Sequence, residues 1–399
     1  MAKPKLALIP AAQGTKLYSV LPSDATGDFT FTRGSVATRI NSQGLIENVA
    51  SGVSRLDYPM IDGVQKGCPH HILEPARTNL ILNSQKISLT PTKAGTFVDN
   101  FAISPDGTLN ATKLTATDVD PYFYQNISYS AVSYTASIYI KGIGNSVGKE
   151  FQIRLGTNIY TDVIPLEWTR FKYTVTMASG VTSAGLEIPN PAVVGDEVLV
   201  WGWQVENNSV ASSYIPSQGS ASTRVAETAN GAGNSEVFSD SQGVLFANIA
   251  ANNKGGGYKL ISITDSTSGN SFVSIGMNNA STNSYKQIRF GGVNLFPDFI
   301  DPINQTDFNK IAIKYKSGNS SFYVNGFEID SSSVTYTPSA VMSELKFSYF
   351  NGTDDFYGKT KELGYYNTIL TDLELETLTS YKSWTSMVNE LNLNIIYNG

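Results

Sequence analysis

Residues 198–206, VLVWGWQVE, and residues 310–326, KIAIKYKSGNSSFYVNG, decide the fold class of this chain. The first stretch alternates along its length with the period of two that is typical of a β-strand. Its predicted core row contains Leu199, Trp201, Trp203 and Val205. The second stretch places Lys-Ser-Gly-Asn between two alternating runs, and Gly and Asn tolerate the positive φ that a tight hairpin needs. Both patterns indicate antiparallel β-structure.

Similar strand patterns fill both halves of the chain. Residues 132–142, 151–156 and 168–177 alternate in the first half, and Gly- and Pro-rich turns separate them. Successive strand candidates follow between residues 236 and 386. Several short strands with regular turns indicate antiparallel sandwiches. We therefore predict an all-β protein: an irregular N-terminal attachment segment, two antiparallel β-sandwich (jelly-roll) domains, and one short helix near the C-terminus.

The predicted boundaries follow shifts in composition. Residues 1–85 form the irregular segment, in which Arg33, Arg39, Arg55 and Arg77 punctuate a weakly charged stretch. This segment has too little periodic apolar surface to close a core, so we expect it to pack against a partner chain or the next domain. Residues 86–220 are the first sandwich, 221–235 a small, polar linker, and 236–386 the second sandwich. Residues 387–399 form a tail that is either an extra strand or a trimer-stabilising tip.

The predicted helix covers residues 370–384. Thr371 is its expected N-cap, and Glu374 completes a capping box. Leu373, Leu378 and Tyr381 are expected to share one face.

Composition narrows the functional classes. The chain has 399 residues, 41% of them hydrophobic and only 16% charged, with 21 Tyr and 19 Phe, which favours β-rich domains. The net charge of −6 and the lack of a basic stripe argue against nucleic-acid binding. Cys68 is the single cysteine, so no internal disulfide can form. The N-terminal apolar run is too short for a signal peptide, and no stretch is long enough to cross a bilayer. We expect synthesis in a reducing bacterial cytoplasm.

Two segments carry a longer signature. Residues 31–82 contain FTRGSVATRINSQGLIENV, then LDY, then CPHHILEPARTN, and residues 201–224 read WGWQVENNSVASSYIPSQGSASTR. Together they resemble the proximal half of bacteriophage tail-fibre, tail-spike and head-fibre proteins, especially those of Bacteroidota phages, over about residues 29–227. The resemblance implies a virion protein, a homotrimer, N-terminal attachment to capsid or tail proteins, and a carbohydrate-binding-module-like sandwich between the two segments.

The second half carries a different resemblance. The hairpin from Ile313 to Gly326 and the stretch LGYYNTILTDLELETL, residues 363–378, are similar to the concanavalin A/laminin-G-like lectin fold. The resemblance covers residues 236–386 and implies a sandwich. It is weak for activity, because this fold hosts enzymes, lectins and adhesins.

Few residues carry a catalytic or metal-binding pattern. Cys68, His70 and His71 invite a zinc interpretation, but neighbouring side chains diverge and a structural zinc site needs four converging ligands. No G-x-S-x-G elbow or paired-carboxylate strand occurs, so we predict no catalytic residues, no cofactor and no enzyme. Asp354 and Asp355 lie in a predicted turn and are weak calcium candidates, because Ca²⁺ takes oxygen ligands from loops.

Aromatic side chains are the natural glycan-binding candidates. A flat ring stacks on the apolar face of a pyranose while polar neighbours bond its hydroxyls. Tyr122 and Tyr124, at alternate positions of a predicted strand, face one way. The predicted glycan-binding residues are Tyr122, Tyr124, Trp168, Tyr285, Phe350 and Tyr357.

The leading hypothesis is a head fibre, tail fibre or spike whose sandwiches bind glycans of the host surface or environment. One alternative is a glycan depolymerase, a tail-spike hydrolase. The other is a purely structural virion decoration protein.

Overall fold

The computed structural model of the chain is built almost entirely from β-strands. It describes residues 2–380 except 9–11, 14, 15, 18, 62, 63, 66, 118–120, 189–192, 255, 266–268, 280–282 and 297–301. Within that part of the chain, the single α-helix is eight residues long. The all-β prediction with one short helix near the C-terminus is confirmed. The predicted tail, residues 387–399, lies outside the described residues.

In chain order, the strands are β1 Leu6–Leu8, β2 Ala12–Gln13, β3 Lys16–Leu17, β4 Phe29–Thr32, β5 Ala37–Ile40, β6 Ile46–Val49, β7 Arg55–Asp57, β8 Met60–Ile61, β9 Val64–Gln65, β10 His70–Ile72, β11 Arg77–Asn79, β12 Thr92–Ala94, β13 Thr96–Ile103, β14 Leu109–Thr115, β15 Tyr122–Tyr129, β16 Ser133–Ile143, β17 Glu150–Leu155, β18 Asn158–Val163, β19 Thr169–Thr176, β20 Gly180–Glu187, β21 Glu197–Glu206, β22 Ser222–Arg224, β23 Thr228–Asn230, β24 Gln242–Ala251, β25 Lys259–Thr264, β26 Ser271–Met277, β27 Ser284–Phe290, β28 Val293–Asn294, β29 Asn309–Lys316, β30 Ser320–Val324, β31 Phe327–Ser332, β32 Glu344–Lys346 and β33 Gly358–Tyr366. The 3₁₀ helices are Ile87–Leu89 and Gly144–Ser146, and α1 is Asp372–Thr379.

The chain folds into two compact domains whose boundaries differ from the predicted ones. The first domain comprises Arg33–Pro69 and Pro75–Ala226. The second comprises the residues up to Thr32, the short insert His70–Glu74, and the chain from Glu227 on. Residues 1–85 are therefore divided between the domains. Their short apolar pieces close no core of their own, and Leu6, Leu8, Phe29 and Phe31 are buried in the core of the second domain.

The first domain is a sandwich of two five-stranded sheets. Their strand orders are β12-β15-β20-β17-β18 and β13-β14-β21-β16-β19. The core between them takes alternate residues from each sheet, as antiparallel pleating requires. The predicted row on β16 is confirmed as part of this core: Tyr134, Ala136, Ile138 and Ile140.

A β-bulge at Gly202 corrects the predicted tryptophan row. On β16, Tyr139 pairs with Trp201, but Ser137 pairs with Gln204, so β21 contains one residue more than its partner. Gly202 has φ +66°, which suits glycine. The extra residue reverses the alternation, so Trp203 enters the sandwich core whereas Trp201 packs in a separate cluster with Tyr214. Both indoles are buried as predicted, but they do not share a face.

Arginines of the signature segments stabilise the first domain through side-chain hydrogen bonds. Arg33 Nη2 donates to the Val49 and Ala50 carbonyl oxygens at 3.2 and 2.6 Å, closing the β5–β6 hairpin. Arg55 Nη1 donates to Ser213 Oγ at 2.8 Å, and Arg224 Nη1 donates to the same oxygen at 2.8 Å. Both guanidinium groups are fully buried. Arg55 therefore links the first signature segment to the second at Ser213, where Arg224 also donates.

Asn79, also in the signature, stabilises the strand just after the bulge. Its amide nitrogen donates to the Trp203 and Ile215 carbonyl oxygens at 3.1 and 3.0 Å. Its side-chain oxygen accepts from the Ile81 and Val205 amides, each at 3.1 Å. A buried amide needs this many partners, since unmet hydrogen bonds are costly.

The second domain is also a sandwich. One sheet has the order β28-β27-β26-β25-β32, and the other runs β31-β30-β29-β24-β33. Strands β1 and β10 both pair with β33, at successive positions along it. The predicted hairpin is confirmed as β29 and β30, with Gly318 at φ +74°.

The predicted linker and helix face differ from the structure in detail. Residues 221–235 contain β22 and β23, and Ala229 and Ala232 are fully buried, because small side chains permit close packing. In α1 the Thr371–Glu374 capping box is confirmed. Leu373 is 72% exposed, however, whereas Leu375 and Thr379 are buried and Leu378 is partly buried. Tyr381 lies outside the described residues. No described helix has the length and apolar character needed to span a membrane.

Candidate functional site

The outward face of sheet β12-β15-β20-β17-β18 is the strongest candidate site in the first domain. Along β15, Phe123 and Ile127 point into the core, so Tyr122 and Tyr124 point outward. Cross-strand pairing sets Glu187 opposite Tyr122 and Gly185 opposite Tyr124 on β20. We call this outward surface the tyrosine face.

Tyr122 and Tyr124 form one aromatic stack. Their ring centroids are 4.9 Å apart and their planes differ by 24°. The Tyr124 ring lies against Gly185, where a Cβ atom would stand 2.2 Å from Tyr124 Cδ1 and 2.0 Å from the Phe123 carbonyl oxygen. Only glycine fits there. The Tyr124 ring therefore packs on Gly185 and stacks on the Tyr122 ring, and the side of Tyr122 that faces away from Tyr124 is its outer side.

A polar group adjoins the stack. Tyr124 donates its hydroxyl hydrogen to Glu187 Oε2. The same carboxylate oxygen lies 2.5 Å from Arg154 Nε in an ion pair, and Arg154 Nη2 donates to Gln152 Oε1 at 2.7 Å. Burial and the Glu187 hydrogen bond raise the pKa of Tyr124, which keeps its phenol protonated as the donor. Among the described contacts, none occupies Glu187 Oε1 or Arg154 Nη1, which leaves an acceptor and a donor at the stack.

Beside this polar group and further along the same sheet, the described outward face has exposed and mildly apolar positions. Val181, Ile159 and Val163 occupy the same outward face and are 70%, 43% and 50% exposed. Asn126 and Thr161 on that face are also exposed. The tyrosine face thus combines a ring, apolar carbon, and hydrogen-bonding groups of both kinds, which is the set of contacts that a sugar ring can use.

In the second domain, the outward face of sheet β28-β27-β26-β25-β32 is filled by protein. Phe350, from the loop after β32, stacks on buried Phe272 with centroids 4.5 Å apart and planes 18° apart. The Tyr349 ring lies beside the Phe350 ring, with 4.5 Å between their centroids, and Tyr349 donates its hydroxyl hydrogen to Gln287 Oε1 at 2.7 Å. Residues 349–355 therefore cover this sheet, and we call them the covering loop.

The candidates in the second domain are placed accordingly. Tyr285 is only 6% exposed and donates its hydroxyl hydrogen to Gln287 Oε1 at 2.5 Å. Phe350 is part of the covering loop's packing. Tyr357 is half-buried, packs against the main core and donates its hydroxyl hydrogen to Asp355 Oδ2 at 2.9 Å. Tyr122 and Tyr124 are half-buried like Phe350 and Tyr357, but they lie on a sheet face where other described positions, such as Asn126 and Thr161, are exposed.

Trp168 lies on the other sheet of the first domain, just before β19. Its indole packs against the cluster of Trp201 and Tyr214, and Nε1 donates to the Ile103 carbonyl oxygen at 3.0 Å. It is half-buried and does not join the tyrosine face.

The residues considered as metal ligands do not form a metal site in the described structure. Burial, reinforced by the Asp354 charge, raises the pKa of Asp355. His70 and His71 are buried beside aromatic rings, His70 at 5.7 Å from Phe308 and His71 at 6.2 Å from Phe31. Cys68 is exposed. Within the described residues, no group of three or more His, Cys, Asp or Glu is arranged to hold a metal ion.

The sequence pattern pointed to the two tyrosines but not to Gln152, Arg154, Gly185 and Glu187, which the structure places beside them. The stretch FQIRLG alternates, with Phe151, Ile153 and Leu155 in the core. That alternation could have placed Gln152 and Arg154 outward. Nothing in the sequence indicated which strand would bring them beside Tyr124.

No protein-family model matches this chain, and no curated protein matches it. Similar solved structures include a Ruminococcus gnavus IT-sialidase CBM40 bound to alpha2,3 sialyllactose, at 18% identity, covering 35% of this chain and 83% of that chain with a TM-score of 0.30. Domain 4 of AbnA, a GH43 extracellular arabinanase from Geobacillus stearothermophilus in complex with arabinotriose, is 15% identical, covering 39% and 73% with a TM-score of 0.30. A heptameric SAP-like pentraxin from Limulus polyphemus is 14% identical, covering 36% and 71% with a TM-score of 0.29. Overlaps this low do not bear on what this chain binds.

Proposed function

We propose that this chain is a non-enzymatic glycan-binding protein and that its binding surface is the tyrosine face of the first domain. One observation carries the proposal: the half-buried Tyr122–Tyr124 stack lies on the outward face of a sheet beside the Arg154–Glu187 pair. A sugar ring stacks on the outer side of Tyr122. Its hydroxyls donate to Glu187 Oε1 and accept from Arg154 Nη1, since a hydroxyl does both.

The environment of Glu187 favours glycan binding over glycan hydrolysis. A glycosidase uses two carboxylates on either side of the scissile bond. On the tyrosine face, Glu187 is engaged by both Arg154 and Tyr124. It is therefore fixed as a hydrogen-bond acceptor rather than poised as a nucleophile or acid.

We further propose that the protein is a bacteriophage fibre or spike of the head or tail, displayed on the virion as a homotrimer. The support is the long signature in residues 31–82 and 201–224. In this role the protein attaches to capsid or tail proteins and binds host-surface or environmental glycan.

A glycan array probed with the full chain tests the binding proposal. The expected result is binding to a defined set of oligosaccharides, with affinity lowered about tenfold by Tyr122→Ala, because the stacking ring is lost. Tyr122→Phe keeps the ring and is expected to bind normally. Equal binding by all three proteins, or binding by none, would overturn the proposal.

Incubation of the same oligosaccharides with the protein and a reducing-end assay tests the depolymerase alternative. We expect no turnover. Sustained turnover that a single carboxylate substitution abolishes would replace binding by hydrolysis as the function.

Light scattering and labelled-antibody imaging of phage particles test the virion assignment. A trimer mass and decoration of the capsid or tail are expected. A stable monomer, or particles without label, would contradict the fibre proposal and leave the glycan-binding proposal standing.

A further inference from the structure

The tyrosine face carries an unusual balance of charge for a site that contains an arginine. Strand register places Glu150, Gln152 and Arg154 of β17 on this face together with Glu187 of β20. The other positions that the register assigns to the face, on β12, β15, β18 and β20, are uncharged. Over the described strand positions of the face, two carboxylates and one guanidinium give a net charge of −1.

The Arg154 guanidinium already has protein partners. Its Nε faces Glu187 Oε2 at 2.5 Å, and Nη2 donates to Gln152. Side-chain exposure is 27% for Arg154 and 15% for Glu187, so the pair is partly shielded from water and its charges are weakly screened. An acidic ligand that approached Arg154 would have to displace Glu187 or lie beside its negative charge.

We propose that the tyrosine face selects neutral glycans over acidic ones, with Glu187 as the residue that sets this selectivity. The inference rests on the proposed glycan-binding function. Glu187 neutralises Arg154, fixes the Tyr124 hydroxyl, and repels carboxylate- or sulfate-bearing sugars. A neutral sugar hydroxyl meets no such penalty, because it can donate to the carboxylate and accept from the guanidinium together.

The test uses matched pairs of oligosaccharides that differ only in the oxidation state of C6: glucan with glucuronan, galactan with galacturonan, and mannan with mannuronan. Affinities of the full chain are measured by titration calorimetry. We expect the neutral member of at least one pair to bind at least about tenfold more tightly than its acidic counterpart. Raising the salt concentration from roughly 0.05 to 0.5 M should change the neutral affinity little, since no net charge is exchanged.

The decisive variant is Glu187→Gln, which frees Arg154 while keeping side-chain shape. Its preference for the neutral member should fall to near parity or reverse. Glu150→Gln is the matched control, because it removes the same charge from the same face without freeing Arg154, and it should shift the ratio less. If Glu187→Gln unfolds, Arg154→Gln takes its place and is expected to weaken neutral binding without increasing acidic binding.

The outcomes separate the two proposals. Tighter binding of acidic members by the unmodified protein, or an unchanged ratio in folded Glu187→Gln, overturns the selectivity and leaves glycan binding intact. No binding of any member, together with no effect of Tyr122→Ala on the array, overturns both.

Discussion

The two sandwiches of this chain differ most in what covers the outward face of one sheet. In the first domain, the face of β15, β17 and β20 carries the half-buried Tyr122–Tyr124 stack, and among the described residues no further ring stacks on it. In the second domain, the face of β25, β26 and β27 is covered by Phe350 and Tyr349, and Phe272 beneath them is fully buried. An aromatic cluster on a sheet can therefore serve as a ligand surface only where no loop already packs on it.

The same distinction separates two uses of glycine. Gly185 leaves room for the Tyr124 ring on an open face. Gly269, at φ +61°, leaves room for Phe350, whose ring lies 2.2 Å from where a Cβ atom would stand. One glycine supports a surface that a ligand can reach, and the other allows the protein to close its own surface.

The largest effect is expected for Gly185→Ala. The new Cβ atom would meet the Phe123 carbonyl oxygen at 2.0 Å, and backbone in a central strand cannot move aside cheaply. We expect the first domain to lose about 3 kcal/mol of unfolding free energy, with loss of glycan binding. Denaturant titration measures the stability. Gly34→Ala is the control: its Cβ atom would meet only Val225 Cγ2 at 3.7 Å, so a change below about 0.5 kcal/mol is expected. Equal costs for the two substitutions would contradict the packing at Gly185.

Acid should act on the second domain through His70. Burial, with the nearby charges of Lys359 and Lys361, lowers the pKa of His70 to about 3 from its ordinary 6.5. Between these values the unfolded chain binds a proton that the folded domain does not. The contribution is therefore fully present above pH 6.5 and is lost as pH falls toward 3. At pH 4.5 the expected loss relative to pH 7 is about 2–3 kcal/mol.

His70→Gln isolates this term, because glutamine does not titrate. The unfolding free energy of the second domain, followed by calorimetry, should fall with acidification more steeply in the unmodified protein than in the variant. The first domain contains neither of the chain's two histidines. Identical pH slopes in the two proteins would contradict the buried, neutral state of His70.

A smaller effect is expected for Phe350→Ala, which opens the covered face. Loss of the stack on Phe272 should cost about 2 kcal/mol of unfolding free energy in the second domain, because Phe350 is half-buried. Glycan affinity should not change. Phe327→Ala is the matched control, since that ring is 54% exposed, and it should cost less than about 0.5 kcal/mol. A loss of glycan binding in Phe350→Ala would assign the ligand to the second domain instead.

Local patterns predicted a good part of this fold. The period of two placed Tyr134 and Ile138 in the core, the Gly318 turn defined a hairpin, and Thr371 with Glu374 capped the helix. Each of these signals depends on residues close together in the chain, where backbone geometry alone fixes the outcome.

Non-local features escaped prediction for a physical reason. A β-bulge reverses the alternation of side chains along a strand. The prediction that Trp201 and Trp203 share one face was therefore wrong, because the bulge at Gly202 lies between them. Glu187 comes 63 residues after Tyr124, and only strand pairing brings them together. The covering loop packs on the second face through tertiary contacts. The aromatic residue types at Phe350 and Tyr285 therefore do not show whether these rings are buried or free to bind a ligand.

Hydrogen–deuterium exchange of the full chain, with and without the neutral oligosaccharide that binds most tightly on the array, tests the central claim most directly. The claim is that the ligand binds the open face of the first domain and not the covered face of the second. We predict slowed exchange in β15 and β20, Tyr122–Tyr129 and Gly180–Glu187, and no change in β26 and β27, Ser271–Met277 and Ser284–Phe290. Protection confined to β26 and β27 would contradict the account.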